Sequence, residues 1–295
     1  MIELRPCRDD GDLEAWRRVR IAVVPNERTD SVEELRRSAT PERLMLLAHR
    51  DGELAGSGVA GRGDTGSGFA IPRVLPEQRR RGVGTALLYA LAAHVERLGF
   101  PDVSAGVSDE GALAFAQRFG FEETGRQVEQ VRAIDGDEPW PGPLEDVEIV
   151  SLAAKPDLGA RTYHELALQA FEEIPTPGRI QVSLEDWQRS WVGWPDGSFA
   201  ALAGDELVGC AGLIRDDDRP ERAENTLTAV RRDWRGRGVA RALKQSVIAC
   251  ASANGIRELY TWTQEGNENM RAVNARLGYV PGDVSISLRR PLPLQ

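Results

Sequence analysis

The sequence predicts an α/β chain in which two tandem copies of one domain each carry a mixed sheet flanked by helices. Three observations lead there. The chain has 295 residues, and domains of about 150 residues make two the default. A six-residue turn occurs twice, as Arg79-Arg80-Arg81-Gly82-Val83-Gly84 and as Arg235-Gly236-Arg237-Gly238-Val239-Ala240, both reading Arg-x-x-Gly-x-small. The order and spacing of the segments around it also repeat. From Gly84 to the Gly of Phe119-Gly120-Phe121 is 36 residues, and from Ala240 to the Gly of Leu277-Gly278-Tyr279 is 38.

Residues 3–6 and 148–152 read as first strands. Helical stretches follow at 10–24 and 31–39, and again at 157–174 and 183–191. Hairpins come next, 44–49 with 54–60 across Asp51-Gly52, and 199–203 with 207–214 across Gly204-Asp205; such dipeptides between apolar runs signal tight turns. A fourth strand, 71–75 or 226–230, precedes each Gly-rich turn. Each turn opens a helix with apolar residues at i, i+4, i+7 and i+8: Val83, Leu87, Ala90 and Leu91, matched by Val239, Leu243, Ser246 and Val247. These helices end near Gly99 and Gly255, as helix C-termini often do. A fifth strand (103–107, 258–263) and a second helix complete each copy. The acidic, Pro/Gly-rich stretch 135–143 reads as a connector. The expected division is an N-terminal domain 1–138, a linker 139–146 and a C-terminal domain 147–295.

A glycine turn before a long helix suits a phosphate group. The helix N-terminus presents unpaired N–H groups and a partial positive charge, glycine lets the backbone approach closely, and the arginines add cationic arms. A simple helix start with surface arginines explains one such turn equally well; two in the same context favour the anion site. The turn lacks the Gly-Lys-Ser/Thr of a Walker loop, and it follows a fourth strand where a dinucleotide fingerprint would follow a first.

These motifs resemble the GNAT N-acetyltransferase superfamily, whose motif A is Arg/Gln-x-x-Gly-x-Gly/Ala. The resemblance covers nearly the whole chain and is similar to the tandem-GNAT layout also used by mycothiol synthase. The C-terminal half carries the fuller pattern, adding Thr228-x-Val230 and Asn267-x-x-Met270-x-x-x-Asn274-x-x-Leu277-Gly278-Tyr279. The resemblance implies acetyl-CoA, as acyl donor, wedged between the fourth and fifth strands. Backbone groups of Thr228, Ala229 and Val230 would pair with its pantetheine arm. An N–H near Val230 would polarise the thioester carbonyl. The amides of Arg235, Gly236, Arg237, Gly238, Val239 and Ala240 would hold the pyrophosphate, with Arg79, Arg80, Arg81, Gly82, Val83 and Gly84 in matching places. Asn267 would contact the donor.

The reaction class needs a base for the attacking amine and tolerates an acid for the leaving thiolate. Glu224 is the candidate base; a solvated carboxylate at a strand end is the competing reading. Where many family members carry a tyrosine acid, this chain has Asn274, which could donate a hydrogen bond to the sulfur, and Ala116 in the N-terminal half. Asp109 replaces the cofactor-contacting Asn there, and a carboxylate beside CoA is unhelpful. The C-terminal half is therefore expected to catalyse and the N-terminal half to be degenerate.

The net charge of −9 argues against nucleic acid as the partner. No apolar run approaches a membrane span and no signal peptide is visible. Cys7, Cys210 and Cys250 form no disulfide framework, and neither they nor His49, His94 and His164 show metal-ligand spacing, so no metal is expected and a cytoplasmic location is. Cys210 and Cys250 read as buried small hydrophobes. Trp187 and Trp191 share a helical face near Trp194; they read as packing or as the lining of an acceptor pocket. Glu172 and Glu173 read as ordinary acidic residues or as attractors of a cationic amine. The leading reading is transfer of acetyl from acetyl-CoA to a primary amine of a small molecule, by a monomer or a homodimer. A non-catalytic acyl-CoA-binding protein and a protein or peptide N-acetyltransferase are the alternatives.

Overall fold

The computed structural model describes residues 1–176 and 178–294. Its elements run β1 (Ile2–Pro6), α1 (Asp10–Val23), α2 (Val32–Arg37), β2 (Leu44–Arg50), β3 (Glu53–Arg62), β4 (Gly68–Val74), α3 (Val83–Arg97), β5 (Asp102–Val107), α4 (Glu110–Arg118) and β6 (Glu122–Ala133). The second series is β7 (Glu148–Ser151), α5 (Leu158–Thr162), α6 (Leu168–Glu173), α7 (Leu184–Ser190), β8 (Phe199–Ala203), β9 (Glu206–Arg215), β10 (Arg222–Val230), α8 (Val239–Ala253), β11 (Glu258–Gln264), α9 (Glu268–Arg276) and β12 (Val280–Pro291). The anticipated α/β class, mixed sheet and repeated order are all present.

Local chemistry explains the boundaries. Asp9 caps α1 by accepting from Asp12 N–H, and Ser31 and Glu34 form a reciprocal capping box on α2. Asp51 and Gly52 both take positive φ (53° and 88°) between β2 and β3, the conformation that a two-residue hairpin turn requires. Gly99 and Gly255 leave α3 and α8 with φ of 85° and 78°. The helix expected over 157–174 runs unbroken from α5 to α6, widening to a π-type stretch through Tyr163–Ala167, where Leu168 N–H bonds to Tyr163 C=O.

The chain forms two compact units, Met1–Gly125 together with the residues from Ser285 onward, and Arg126–Val284. In the first, the sheet runs β1-β2-β3-β4-β5 and is closed by residues 286–291 of β12, antiparallel to β5. In the second it runs β7-β8-β9-β10-β11 and is closed by residues 127–133 of β6, antiparallel to β11. The parallel neighbours in these sheets are β4 with β5 and β10 with β11.

The sequence repeat and the compact units thus divide the chain at different places. The chain passes between units inside β6, after Gly125, and inside β12, after Val284. Each unit's fifth strand takes the last strand of the other repeat, which satisfies an edge that would otherwise be left open. The stretch anticipated as a connector belongs to the second unit. Ser252 Oγ donates to Gly136 C=O at 2.8 Å, Glu138 pairs with Arg132 at 2.7 Å, and the Trp140 ring lies edge-on to Phe199.

In each unit the long helix after the Gly-rich turn lies on the sheet. Val83, Leu87, Leu91 and Val95 of α3 are buried over β3 and β4. A Cβ on Gly68 would stand 2.1 Å from Val95 Cγ1, so only glycine admits the helix this close. Val239, Leu243 and Val247 of α8 do the same over β9 and β10. The opposite face is covered by α1 and α2 in the first unit, where Trp16, Leu35, Leu47 and Val59 cluster. In the second, Leu158, Phe171, Trp187, Leu227 and Ala229 cluster under α5, α6 and α7.

Candidate active site

The two turns share a backbone shape. Gly82 and Gly238 begin α3 and α8 with φ of 86° in each case and no side-chain cap. The first helical bonds are Ala86 N–H to Gly82 C=O and Ala242 N–H to Gly238 C=O, both 3.0 Å. The amides just before them have no carbonyl to meet within the helix, and no acidic side chain stands in either first turn. Gly236 takes φ 78°, and Arg80, its counterpart, is held at φ 62°, a region that a side chain enters at a cost of about 1–2 kcal/mol. The Arg235 guanidinium donates from Nε to Val230 C=O at 3.0 Å, and Arg79 makes the same bond to Val74 at 3.4 Å. Each turn is thereby tied to the strand that leads into it.

Around the second turn, Glu173 at the end of α6 binds Arg232 at 2.7 Å and Arg235 at 2.6 Å. Burial opposes it, but hydrogen bonds from Arg232 and Arg235 hold the Glu173 carboxyl below the usual range. Glu172 pairs with Arg179. Both carboxylates are thus ion-paired, which weighs against their serving as an open lure for a cationic amine. Arg237 lies over the Trp234 ring, 4.6 Å from its centre.

The strands before the turns differ. β10 pairs with β11 only at Arg222–Glu258, Ala223–Leu259 and Glu224–Tyr260, after which the two part. Against β9 its register shifts between Asn225 and Thr228, an offset of the kind found beside active sites. The result is a strand segment, Thr228-Ala229-Val230, with no partner on the β11 side, and backbone groups there await one. Thr228 Oγ1 is buried with no partner among the described residues. β4 and β5 also part, after Gly68–Val103 and Phe69–Ser104. β4, however, keeps an unbroken register with β3. Counting back from the turns, Pro72 and Arg73 stand where Thr228 and Ala229 do, and Pro72 has no N–H to offer.

Glu224 is half-buried at the last parallel pair before the opening. The Tyr260 hydroxyl donates to its Oε2 at 3.2 Å. Burial first, and the Glu224 charge next, push the Tyr260 hydroxyl far above its ordinary value, so tyrosine remains the donor and Glu224 the acceptor. Arg222 stacks on the Tyr260 ring at 3.8 Å and pairs with Glu129 and Glu258 at 2.7 and 2.6 Å.

Asn274 is fully buried, its Nδ2 donating to Gln130 Oε1 at 2.8 Å, and Thr263 Oγ1 donates to the same Gln130 oxygen at 3.1 Å. Asn267 caps α9 by accepting from Met270 N–H at 3.4 Å, and Asp109 caps α4 from Ala112 N–H at 2.8 Å. The structure therefore gathers Thr228, Val230 and the turn at 235–240 into one path, with Glu224 at its head. It engages Asn267 and Asn274 in a cap and a buried network.

Lys244 escaped the sequence reading. It is fully buried on α8, bonded through Nζ to Asn225 Oδ1 at the strand offset, and 5.4 Å from the centre of the Tyr279 ring. Burial pulls its amine down to about 7. Asn225 Nδ2 in turn donates to Gly212 C=O at 2.8 Å. The signal was available: Lys244 is one of two lysines in an arginine-rich chain and sits within an apolar helix.

The other singled-out residues pack. Trp187 is buried, donates to Gly159 C=O at 3.2 Å and stacks on Trp191 with rings 5.9 Å apart. Cys210 and Cys250 are buried, and burial pushes the Cys210 thiol up to about 12. No group of three His, Cys, Asp or Glu residues arranged to hold a metal ion occurs among the described residues, and no helix there is long and apolar enough to cross a membrane.

The family model described as "Acetyltransferase (GNAT) family" matches residues 13–121 and 160–279. A mycothiol acetyltransferase from Clavibacter michiganensis subsp. michiganensis is 30% identical over 256 residues, 84% of this chain and 80% of its own. Another, from Geodermatophilus obscurus, is 28% identical over 84% of this chain and 82% of its own. Among solved structures, a tandem GNAT protein from the clavulanic acid biosynthesis pathway is alike in fold (TM-score 0.79, 22% identity, 100% of both chains). So is a GCN5-related N-acetyltransferase from Sphaerobacter thermophilus (TM-score 0.77, 21% identity, 98% of this chain and 95% of that one).

Proposed function

We propose, from the premise that this chain belongs to the acetyltransferase (GNAT) family and is an acyltransferase, that its second unit moves acetyl from acetyl-CoA to a primary amine of a small molecule. The observation that carries this reading is the coincidence, in that unit alone, of a capless Gly-rich helix start and an offset, unpartnered strand segment leading into it. The amides after Gly238 suit a pyrophosphate. The backbone of Thr228, Ala229 and Val230 suits the amides of a pantetheine arm, and an N–H at Val230 suits the oxygen on which charge develops during attack. Glu224, fixed by Tyr260, accepts the proton of the attacking amine, directly or through water. The thiolate takes its proton from water, since the Asn274 amide is no acid.

A mycothiol-type acceptor is supported by the names of the two relatives above, both mycothiol acetyltransferases. The bacterial sources of those relatives and the need for acetyl-CoA support a cytoplasmic bacterial enzyme. The test is CoA release from acetyl-CoA with a panel of amino sugars, polyamines, amino acids and peptides. Turnover on a small amine is expected; turnover on peptides alone would overturn the reading.

A further inference from the structure

The sheet face under α1 and α2 of the first unit carries polar groups that the proposed reaction does not use. Strand alternation and register put Leu47, Ser57, Val59, Ile71 and Arg73 on that face. Ser57 and Arg73 stand directly opposite each other on β3 and β4. Arg73 is 6% exposed and Ser57 0%. Arg73 Nη1 and Ser57 Oγ have no hydrogen-bond partner among the described residues. Thr29 Oγ1, in the loop after α1, is a further buried hydroxyl of the same kind. The guanidinium lies over the Trp16 ring, 5.5 Å from its centre.

The charged groups facing Arg73 are Arg20, Glu27 and Arg43. Glu27 already pairs with Arg20 at 3.3 Å. Burial, then Arg20 and Arg43, pull the Arg73 guanidinium down to about 9 against the pull of Glu27. It remains a cation at neutral pH. Buried charges ordinarily come with a partner, and a donor atom that is buried and unpaired asks for an explanation. The matching pair in the second unit is Cys210 opposite Ala229, both apolar and small. The polarity of Ser57 and Arg73 is thus a property of this site and is not needed by the fold.

We propose that this face binds a small organic monocarboxylate. The planar fork of Arg73 matches a carboxylate in a bidentate manner. Ser57 Oγ donates a further hydrogen bond, and Trp16, Val59 and Ile71 cover the apolar remainder. Arg43 also faces Arg73, and Glu27 is paired with Arg20, so phosphate is the competing anion; the apolar cover of Trp16, Val59 and Ile71 favours a carboxylate with an apolar tail over it.

The full-length protein decides this by calorimetric titration and thermal unfolding with propionate. The controls are propionamide, chloride at equal ionic strength and inorganic phosphate. Saturable propionate binding with a dose-dependent rise in unfolding temperature is expected, with no response to propionamide. Arg73→Met, of similar length and suited to apolar neighbours, should weaken propionate at least about tenfold, as loss of one charge-assisted hydrogen bond does. Ser57→Ala, which removes one hydroxyl, should weaken it by a smaller factor. Equal responses to propionate and chloride, a response to phosphate alone, or unchanged affinity in both variants would overturn the site.

Discussion

The turn at Gly82 and the turn at Gly238 have the same φ, the same first helical bond and the same arginine tether to the preceding strand. The strands that feed them do not match. β10 is offset against β9 and carries Thr228, Ala229 and Val230 beyond its pairing with β11, whereas β4 runs in register and carries Pro72 and the buried Arg73 at two of those places. The Gly-rich helix start is therefore only half of the proposed donor site. The other half is the strand leading into it, and only β10 combines a parting from its parallel neighbour with an offset against its antiparallel one.

That comparison can be broken most sharply at the turns. Gly238→Glu sets a carboxylate at the proposed pyrophosphate position, at a φ of 86°. Losing about 4 kcal/mol of favourable contact and adding repulsion should cut kcat/KM on the order of 1,000-fold. Gly82→Glu should leave acetyl transfer within about twofold, because it alters a turn whose strand cannot complete the site. Circular dichroism of both variants controls for the strain at positive φ. Loss of turnover with Gly82→Glu, or its survival with Gly238→Glu, would reverse the roles of the two units.

The next test concerns Glu224, which follows its strand into the opening. Glu224→Gln keeps the size and an oxygen to accept from Tyr260, yet no longer takes a proton. The removal of general-base help should lower kcat about 100-fold with little change in KM for acetyl-CoA. A rise in KM with kcat intact would show a binding residue instead of a base.

Much of this was legible in the sequence because the features concerned are local. Gly-rich turns, Asp51-Gly52 and the apolar stripes of α3 and α8 each involve residues within a few positions of one another. The strand exchange was not legible, because residues 127–133 and 286–291 follow equivalent helices and nothing local says which fifth strand each will meet. The offset at Asn225–Thr228 was hidden for the same reason; it is a relation between β10 and β9. The resemblance puts Asn274 at a catalytic place, whereas its Nδ2 donates to Gln130, more than a hundred residues away. Glu173 read as one acid among many until the fold set Arg232 and Arg235 beside it.

Lys244 offers a subtler contrast, since its counterpart on α3 is Leu88. Burial holds its amine near 7, below the ordinary 10.5. Between those values the unfolded chain binds a proton that the folded chain does not, so stability rises with pH across that window. Below pH about 7 the folded protein also carries the charge, and the penalty is complete. Lys244→Met removes the titration but leaves Asn225 Oδ1 without its donor, at a cost of about 1–3 kcal/mol. Urea unfolding between these pH values should show a wild-type slope steeper than the variant's by about 1.4 kcal/mol per pH unit. The variant should be relatively most stable at the acidic end. Identical slopes would mean that Lys244 stays charged when folded.

The smallest expected effect separates structure from chemistry at two helix starts. Asn267 and Asp109 cap α9 and α4 through the same side-chain bond to the third amide of the helix. Removing either cap with alanine should cost about 1 kcal/mol of stability, and Asp109→Ala should cost slightly more, because its carboxylate also meets the helix dipole. If capping were the whole role of both, acetyl-transfer kinetics would be indifferent to either change. The proposed donor site adds a second duty to Asn267, whose amide also has N–H groups to offer a ligand, while Asp109 has oxygens alone. Asn267→Ala should therefore raise KM for acetyl-CoA by about three- to tenfold, the worth of one hydrogen bond, and Asp109→Ala should leave it unchanged. Parallel stability losses with a KM change in one variant only would assign donor contact to the second unit. Parallel losses with no KM change in either would reduce Asn267 to a cap and leave the turn and strand to hold the donor.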